Sequence, residues 1–461
     1  MVIGFLFQSI AAALLGLTPL ADQFQLTWAI VTFGTVIFAT MVTTLIVPRI
    51  RDSAGVLHIG DALPIAIMGG IGSSAQVVAA QLTDDSLQSM LLWSAPSHLL
   101  AAMSAVAQSI AYLDKQFGAA ASVGVANGVG LLCGVIVPLL TEVSPVKLGL
   151  SLTIGYLFQT AYIIGRTRSH FREAKRTKVI GVRVLIFVTL FTMLTKAQPL
   201  AERYIAEFFT DSSTAALGYG QKIAQGLLLF AAFGLALTAT GSLAAYVHAE
   251  RMPEAARLLS RTLLATLVTS TGVIITFLPF APMAIRVLFE RGEFSPSDTS
   301  VVSTIVLAQI PWVLANALAG VITGFMYVAR QFVRVGIAAA TGLIATCVAV
   351  YLSSKFTDDY AVAIASSVGS FSTLACVAVF LVRNQIFALV LGELSRARRL
   401  VLLIVASLIV SYALALLRNA HVISHAVGTT AGCTLIVVSC CAMTGSSQNR
   451  KQLKGMFNAA V

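Results

Sequence analysis

Long apolar runs alternate with short polar breaks along the whole of this sequence. Runs of about twenty residues recur from Ile3 to Ala442, each long enough to cross a hydrocarbon core of roughly 30 Å as a helix. In lipid, backbone N–H and C=O groups must be bonded within their own segment, so each run is expected to be helical. A membrane barrel would instead show shorter segments of alternating polarity. The pattern predicts an all-α polytopic membrane protein with about fourteen transmembrane helices. The first six spans fall at 2–19, 24–47, 61–81, 88–112, 118–140 and 146–165. The next six fall at 184–208, 214–243, 261–289, 300–325, 335–354 and 360–382, and the last two at 398–417 and 424–444. The run from Ile3 to Leu20 has no basic leader and no small-residue cleavage site, so it reads as a first span and not as a signal peptide.

Polar breaks divide the spans into groups. The longest, "RTRSHFREAKRTKVIGVR" at 166–183, separates six spans from six, with a further pair at the end. The expected organisation is an N-lobe at 1–165, a basic linker at 166–183, a C-lobe at 184–382, and a helix pair with a tail at 383–461. Such a doubling is how many transporters are built. The same segment also fits a position on an anionic membrane surface, a reading secondary to the linker and compatible with it.

Charge then sets orientation. Only 11% of residues are charged against 57% hydrophobic, and the net charge is +11. Alternate loops hold Arg49 and Arg51, Lys115, the 166–183 cations, Arg251 and Arg257, Arg330 and Arg334, and Arg383, Arg396, Arg398 and Arg399. The opposite loops carry Asp22, Asp84, Asp85, Glu142, Asp211, Asp358 and Asp359. The positive-inside rule places the basic loops and both termini in the cytoplasm. This distribution explains the excess charge without a nucleic-acid partner.

The stretch "VLFERGEFSPSDTS" at 287–300 is a helix stop followed by a helix start. Gly292 suits the left-handed position after a helix, and Ser295, Pro296 and Asp298 suit N-cap, N1 and N3 of the next. It reads as a short extracytoplasmic hairpin.

Ionisable residues inside spans are costly, which makes them candidates for function. The seventh span holds Lys196, Glu202, Arg203 and Glu207. At about 100° per residue, Lys196, Arg203 and Glu207 share one stripe, with Pro199 positioned to bend the helix between them. The stripe fits either a polar cavity wall meeting an anionic head group or an internal salt bridge with an anchored outer end. In the eighth span, Lys222 lies among Tyr219, Gln221 and Gln225; it fits a cavity cation or a chain that snorkels to the interface. Asp22 fits a salt-bridge partner or an exposed loop acid. His98, after Pro96, fits a helix–helix hydrogen bond or a proton carrier. The six cysteines all fall in apolar runs without metal-ligand spacing, as small packing residues do. No nucleotide-binding loop, HExxH or GxSxG motif is present, and the loops are too short for a catalytic domain. The expectation is a protein that is not an enzyme and has no metal or cofactor, beyond a coupling ion or the membrane potential.

The segment "IRVLFERGEFSPSDTSVVSTIVLAQIPWVLANALAGVITGFMYVARQFVRV" resembles the lipid II flippase family of the MurJ/MviN type, in the MOP superfamily. The family's "LFxxGxFxxxDT" turn matches Leu288, Phe289, Gly292, Phe294, Asp298 and Thr299, and its "FYxRQ"-like exit matches Met326, Tyr327, Arg330 and Gln331. "PLAERYIAEFF" is similar to the family's seventh span, with Glu202 and Arg203 at its acid–Arg pair. "ALGYGQKIAQGLLLFAAFGLALTATGSL" is similar to its eighth, with Lys222 at an arginine. "GFLFQSIAAALLGLTPLADQF" is similar to its first, with Asp22 at an acid. The resemblance implies a two-lobed bundle in the bacterial cytoplasmic (inner) membrane. It implies translocation of a polyprenyl-diphosphate-linked saccharide by alternating access, alongside membrane lipids and envelope-biosynthesis enzymes. Lys222, Arg203 and Lys196 would then be cavity cations for the diphosphate, with Glu202, Glu207, Asp22 and Gln225 as partners. Two departures stand out. Where the family has "GFxRD", this chain reads Gly4, Phe5, Leu6, Phe7, Gln8; where its second span has an Arg pair, this chain has the uncharged "FGTVIFAT". Two alternatives stay open, a cation-coupled small-molecule antiporter of the same superfamily and a non-transporting scaffold of envelope polysaccharide synthesis.

Overall fold

A computed structural model describes residues 2–42, 59–113, 117–167, 182–209, 213–353, 360–382, 390 and 398–419. Among these residues all regular structure is helical. The helices are α1 (Val2–Leu15), α2 (Pro19–Met41), α3 (Ile59–Ala80), α4 (Asp85–Ser94), α5 (Pro96–Leu113), α6 (Phe117–Leu140), α7 (Pro145–Thr167), α8 (Val182–Lys196) and α9 (Gln198–Phe209). They continue with α10 (Thr214–Leu228), α11 (Gly234–His248), α12 (Met252–Phe277), α13 (Ala281–Phe289), α14 (Pro296–Val328), α15 (Phe332–Ser353), α16 (Ala361–Val382) and α17 (Arg398–Asn419). Nine stretches among the described residues are long and apolar enough to cross a bilayer, or ten when α8 and α9 count as one bent span; α1 and α17 carry shorter apolar stretches. The chain is a multi-pass, all-α membrane protein. The expected span at 424–444, the tail and most of the basic linker lie outside the described residues.

Local chemistry explains the ends of these helices. α1 stops at Leu15 because Gly16 takes a left-handed φ of 56°. The Thr18 hydroxyl then accepts the Ala21 N–H at 3.3 Å, with Pro19 at the first position of α2. Asp22 therefore belongs to the first turn of α2 and not to a loop. α11 and α14 close with a residue in left-handed conformation, Glu250 (φ 57°) and Arg330 (φ 56°). In each case the next N–H reaches five residues back, Arg251 to the Tyr246 carbonyl at 2.9 Å and Gln331 to that of Met326 at 2.8 Å. A π-helical segment, Leu229–Phe233, separates α10 from α11.

The chain forms two compact units, one of residues 1–218 with 288–298, the other of residues 219–287 with 299–461. Lipid tails are as apolar as the helix surfaces, so helices in a membrane are held by close packing of small residues. Each unit has such a seam. In the first, α6 lies on α7 where Gly130 faces Gly155 and Gly134 faces Ser151; a β-carbon on Gly134 would come 2.7 Å from the Ser151 Cα. In the second, α15 lies on α16, where a β-carbon on Gly369 would come 2.7 Å from the Gly342 carbonyl oxygen.

Candidate functional site

The seventh span is broken. α8 ends at Lys196, α9 begins at Gln198, and their axes turn by 58°. Pro199 has no N–H for the carbonyl four residues back and its ring crowds that position. The single stripe through Lys196, Arg203 and Glu207 assumed an unbroken helix, so the break separates Lys196 from the other two. Lys196 is exposed at the end of α8.

Arg203 points into α2. It is 4% exposed, and its Nη1 donates to the Gln25 carbonyl at 2.8 Å. Glu202, 1% exposed, supplies the opposite charge nearby and accepts the Gln198 amide at 2.8 Å. Burying this pair is tolerable because each member has a hydrogen-bond partner. Glu207 lies near Asp22 and Thr214, where the chain enters α10.

Asp22 is not an exposed loop acid, and its partners among the described residues are hydrogen-bond donors and not cations. Its Oδ1 accepts the Ser213 hydroxyl at 2.8 Å and the Ala215 N–H at 2.6 Å. A carboxylate from α2 thus caps the start of α10, where unbonded N–H groups and the helix dipole favour negative charge. α10 approaches α2 closely, because a β-carbon on Gly218 would sit 2.6 Å from the Gln25 Oε1. The fully buried Gln25 also donates to Gln8 at 2.9 Å. Neither glutamine stood out as a site residue in the sequence; the available signal was a lone amide in each of two apolar runs.

In the second unit, Lys222 and Gln225 are half-buried on α10, next to Gln221 at 5% exposure and the fully buried Tyr219. Gly220 lets this helix meet Ile305 and approach Gln309. A pocket of about 860 Å³ opens among α14, α16 and α17, with Leu307, Pro311, Phe371 and Leu416 on its walls. Its polar lining is mostly engaged, since Ser367 donates to the Ala308 carbonyl at 2.7 Å and Tyr412 to that of Leu307 at 3.1 Å.

The 287–300 stretch folds as a capped hairpin. Ser295 N–H donates to the Asp298 Oδ2 at 2.9 Å and Asp298 N–H to the Ser295 hydroxyl at 3.3 Å, a reciprocal cap. α13 has already ended at Phe289, so Gly292 (φ 59°) serves the turn beyond it. That turn sits on α1. Glu293 N–H donates to the Ala13 carbonyl at 2.9 Å, Ser9 donates to the Leu288 carbonyl, and a β-carbon on Gly292 would overlap the Ala13 oxygen.

The sequence matches the family described as Lipid II flippase MurJ over residues 65–431. The chain belongs to the MurJ lipid II flippase family. Among curated proteins no relative matches by sequence. Its fold is similar to that of a lipid II flippase MurJ in an inward closed conformation, at 13% identity with 96% of each chain covered and a TM-score of 0.71. It is also similar to an inward-facing multidrug resistance MATE family transporter of the MOP superfamily, at 11% identity over 84% of this chain and 93% of that one, TM-score 0.58. The Vibrio cholerae MATE transporter VcmN in its bent form matches at 15% identity over 85% and 94%, TM-score 0.57.

The first helix carries no charged side chain. Phe7 is fully buried, its ring 4.8 Å from that of Trp28 and 6.1 Å from that of Phe24. Gln8 accepts the Gln25 amide at 2.9 Å. An aromatic cluster and an amide pair thus join α1 to α2.

Proposed function

We propose that this MurJ family member is a flippase for lipid II or a related polyprenyl-diphosphate-linked saccharide. It works by alternating access in the bacterial cytoplasmic membrane, with both termini in the cytoplasm. The observation that carries this reading is the family match across residues 65–431. The work is translocation without bond cleavage, drawing on an ion or the membrane potential. Lys222 supplies positive charge for the diphosphate. Arg203, buried against the Gln25 carbonyl, holds α9 on α2. The pocket among α14, α16 and α17 has the apolar walls a hydrocarbon tail needs. The basic linker at 166–183 joins the sixth span to the seventh on the cytoplasmic side, and the 287–300 hairpin faces the extracytoplasmic side. Envelope-biosynthesis enzymes supply and consume the lipid.

The test is head-group translocation of fluorescent lipid II in proteoliposomes, with Lys222→Ala as the variant. The wild type exposes the head group to an external reagent, while Lys222→Ala reconstitutes equally and does not. Equal translocation by the variant removes Lys222 from the site. The neutral Phe7 and Gln8 positions favour a second reading, a non-transporting scaffold of envelope synthesis, which predicts no translocation by the wild type in the same vesicles.

A further inference from the structure

We propose that His98 is a proton-binding site, and that taking up a proton there releases α2 from its close packing on α5. The side chain is 5% exposed, in the first turn of α5. Its Nε2 lies 2.5 Å from the Oε1 of Gln76 on α3. Gln76 is held in one orientation, because its Nε2 donates to the Leu91 carbonyl at 2.9 Å and the Ser94 hydroxyl at 2.7 Å. With an oxygen facing it, the imidazole must donate from Nε2, so the neutral ring carries its lone pair on Nδ1. Nδ1 is buried and, among the described residues, has no hydrogen-bond partner. It faces the backbone of α2, where a β-carbon on Gly34 would overlap it; the Phe38 ring stands edge-on, 6.4 Å away between centroids.

Protonation adds a second N–H at Nδ1, aimed at the Gly34 Cα, where no acceptor waits. A buried donor without an acceptor is costly, so the charged ring selects a packing in which α2 has moved from this contact. Among the side chains described, the charged and titratable groups on the neighbouring helices are engaged elsewhere or stand at helix ends. On the helices against α5, Asp22 is bound at Ser213 and Ala215, Asp85 starts α4, and Lys147 bonds the Thr141 hydroxyl and the Glu142 carbonyl. Tyr156 bonds Thr35, Tyr162 bonds Ser122, and Arg166 lies in the last turn of α7. Among the described residues, His98 meets Gln76, Phe38, Gly34 and Gly72, all uncharged.

That this proton drives transport rests on the flippase reading; that it binds does not. The test is hydrogen–deuterium exchange of the full chain in nanodiscs, reading residues 30–41 against α15 and α16 as internal reference. Lowering the pH from about 8 to about 3.5, past the ordinary histidine range because protonation here must also displace α2, is expected to raise relative exchange in 30–41. His98→Gln abolishes that response. Gln76→Glu places a carboxylate beside the ring and moves the midpoint up by about one to three pH units. It keeps the test open if His98→Gln does not fold. No response in the wild type, the same response in His98→Gln, or an unmoved midpoint in Gln76→Glu overturns the proposal. In lipid II proteoliposomes with an imposed pH gradient, the wild type responds and His98→Gln does not; a wild type that never translocates sinks the flippase reading while leaving the exchange result intact.

Discussion

The hydroxyl of Tyr412 on α17 donates to the main-chain carbonyl of Leu307 on α14, 3.1 Å away. Residue 311, whose N–H would ordinarily take that carbonyl, is Pro311. A side chain from a helix about a hundred residues further on supplies the missing donor, as membrane helices with internal prolines require. Tyr412→Phe leaves the carbonyl unsatisfied and should cost about 1 kcal/mol. The expected readout is a lower thermal midpoint in detergent. In a Pro311→Ala background the N–H returns, and the same tyrosine change should cost little; an undiminished penalty there argues against this pairing.

Asp22 should act as a cap and not as a salt-bridge charge. Asp22→Asn keeps an acceptor oxygen for the Ala215 N–H, so it should lose little stability. Asp22→Ala removes the cap and should cost about 0.5–2 kcal/mol. Thermal unfolding of the two variants side by side checks the ranking; equal losses would point to the charge instead.

Gly292 is constrained twice, by its left-handed φ and by the Ala13 carbonyl against it. Gly292→Ala should cost about 1–3 kcal/mol from backbone conformation alone, with further loss from the overlap. Gly320, inside α14 with open space around it, is the control. Gly320→Ala should be neutral or stabilising. Membrane-inserted protein per cell and the melting midpoint should separate the two.

Arg203 and Lys222 should fail in different ways. Arg203→Ala strands Glu202 as a buried charge and should cost about 3–5 kcal/mol, seen as loss of folded protein. Arg203→Lys keeps the charge with a poorer reach to the Gln25 carbonyl, and should fall between. Lys222 is half-buried, and its loss should lower translocation at normal protein level. Fluorescence-detected size exclusion beside the transport assay reads both quantities.

Much of the architecture was legible because its signals are local. Runs of apolar residues with no bonding partner in lipid must be helices, whatever surrounds them. Ser295 and Asp298 cap α14 within a single turn, so their spacing suffices. Pro199 disrupts its helix through atoms four residues away, and that too can be read along the chain. The ordered motifs at 202–203, 222 and 288–299 carried the family resemblance for the same reason.

The partners of the charged residues were decided elsewhere. In a lipid bilayer, helices can be apolar all round, so periodicity does not say which face meets protein. The stripe joining Lys196 to Arg203 dissolved at the 58° break. Asp22 found the start of α10, Arg203 found a carbonyl on α2, and Tyr412 found the one left by Pro311. Each contact joins positions far apart in sequence through a backbone group, and backbone groups look alike in every residue. Composition therefore determined that the chain crosses the membrane as helices. Only the tertiary structure determined which buried polar group satisfies which, because that depends on where two helices happen to touch.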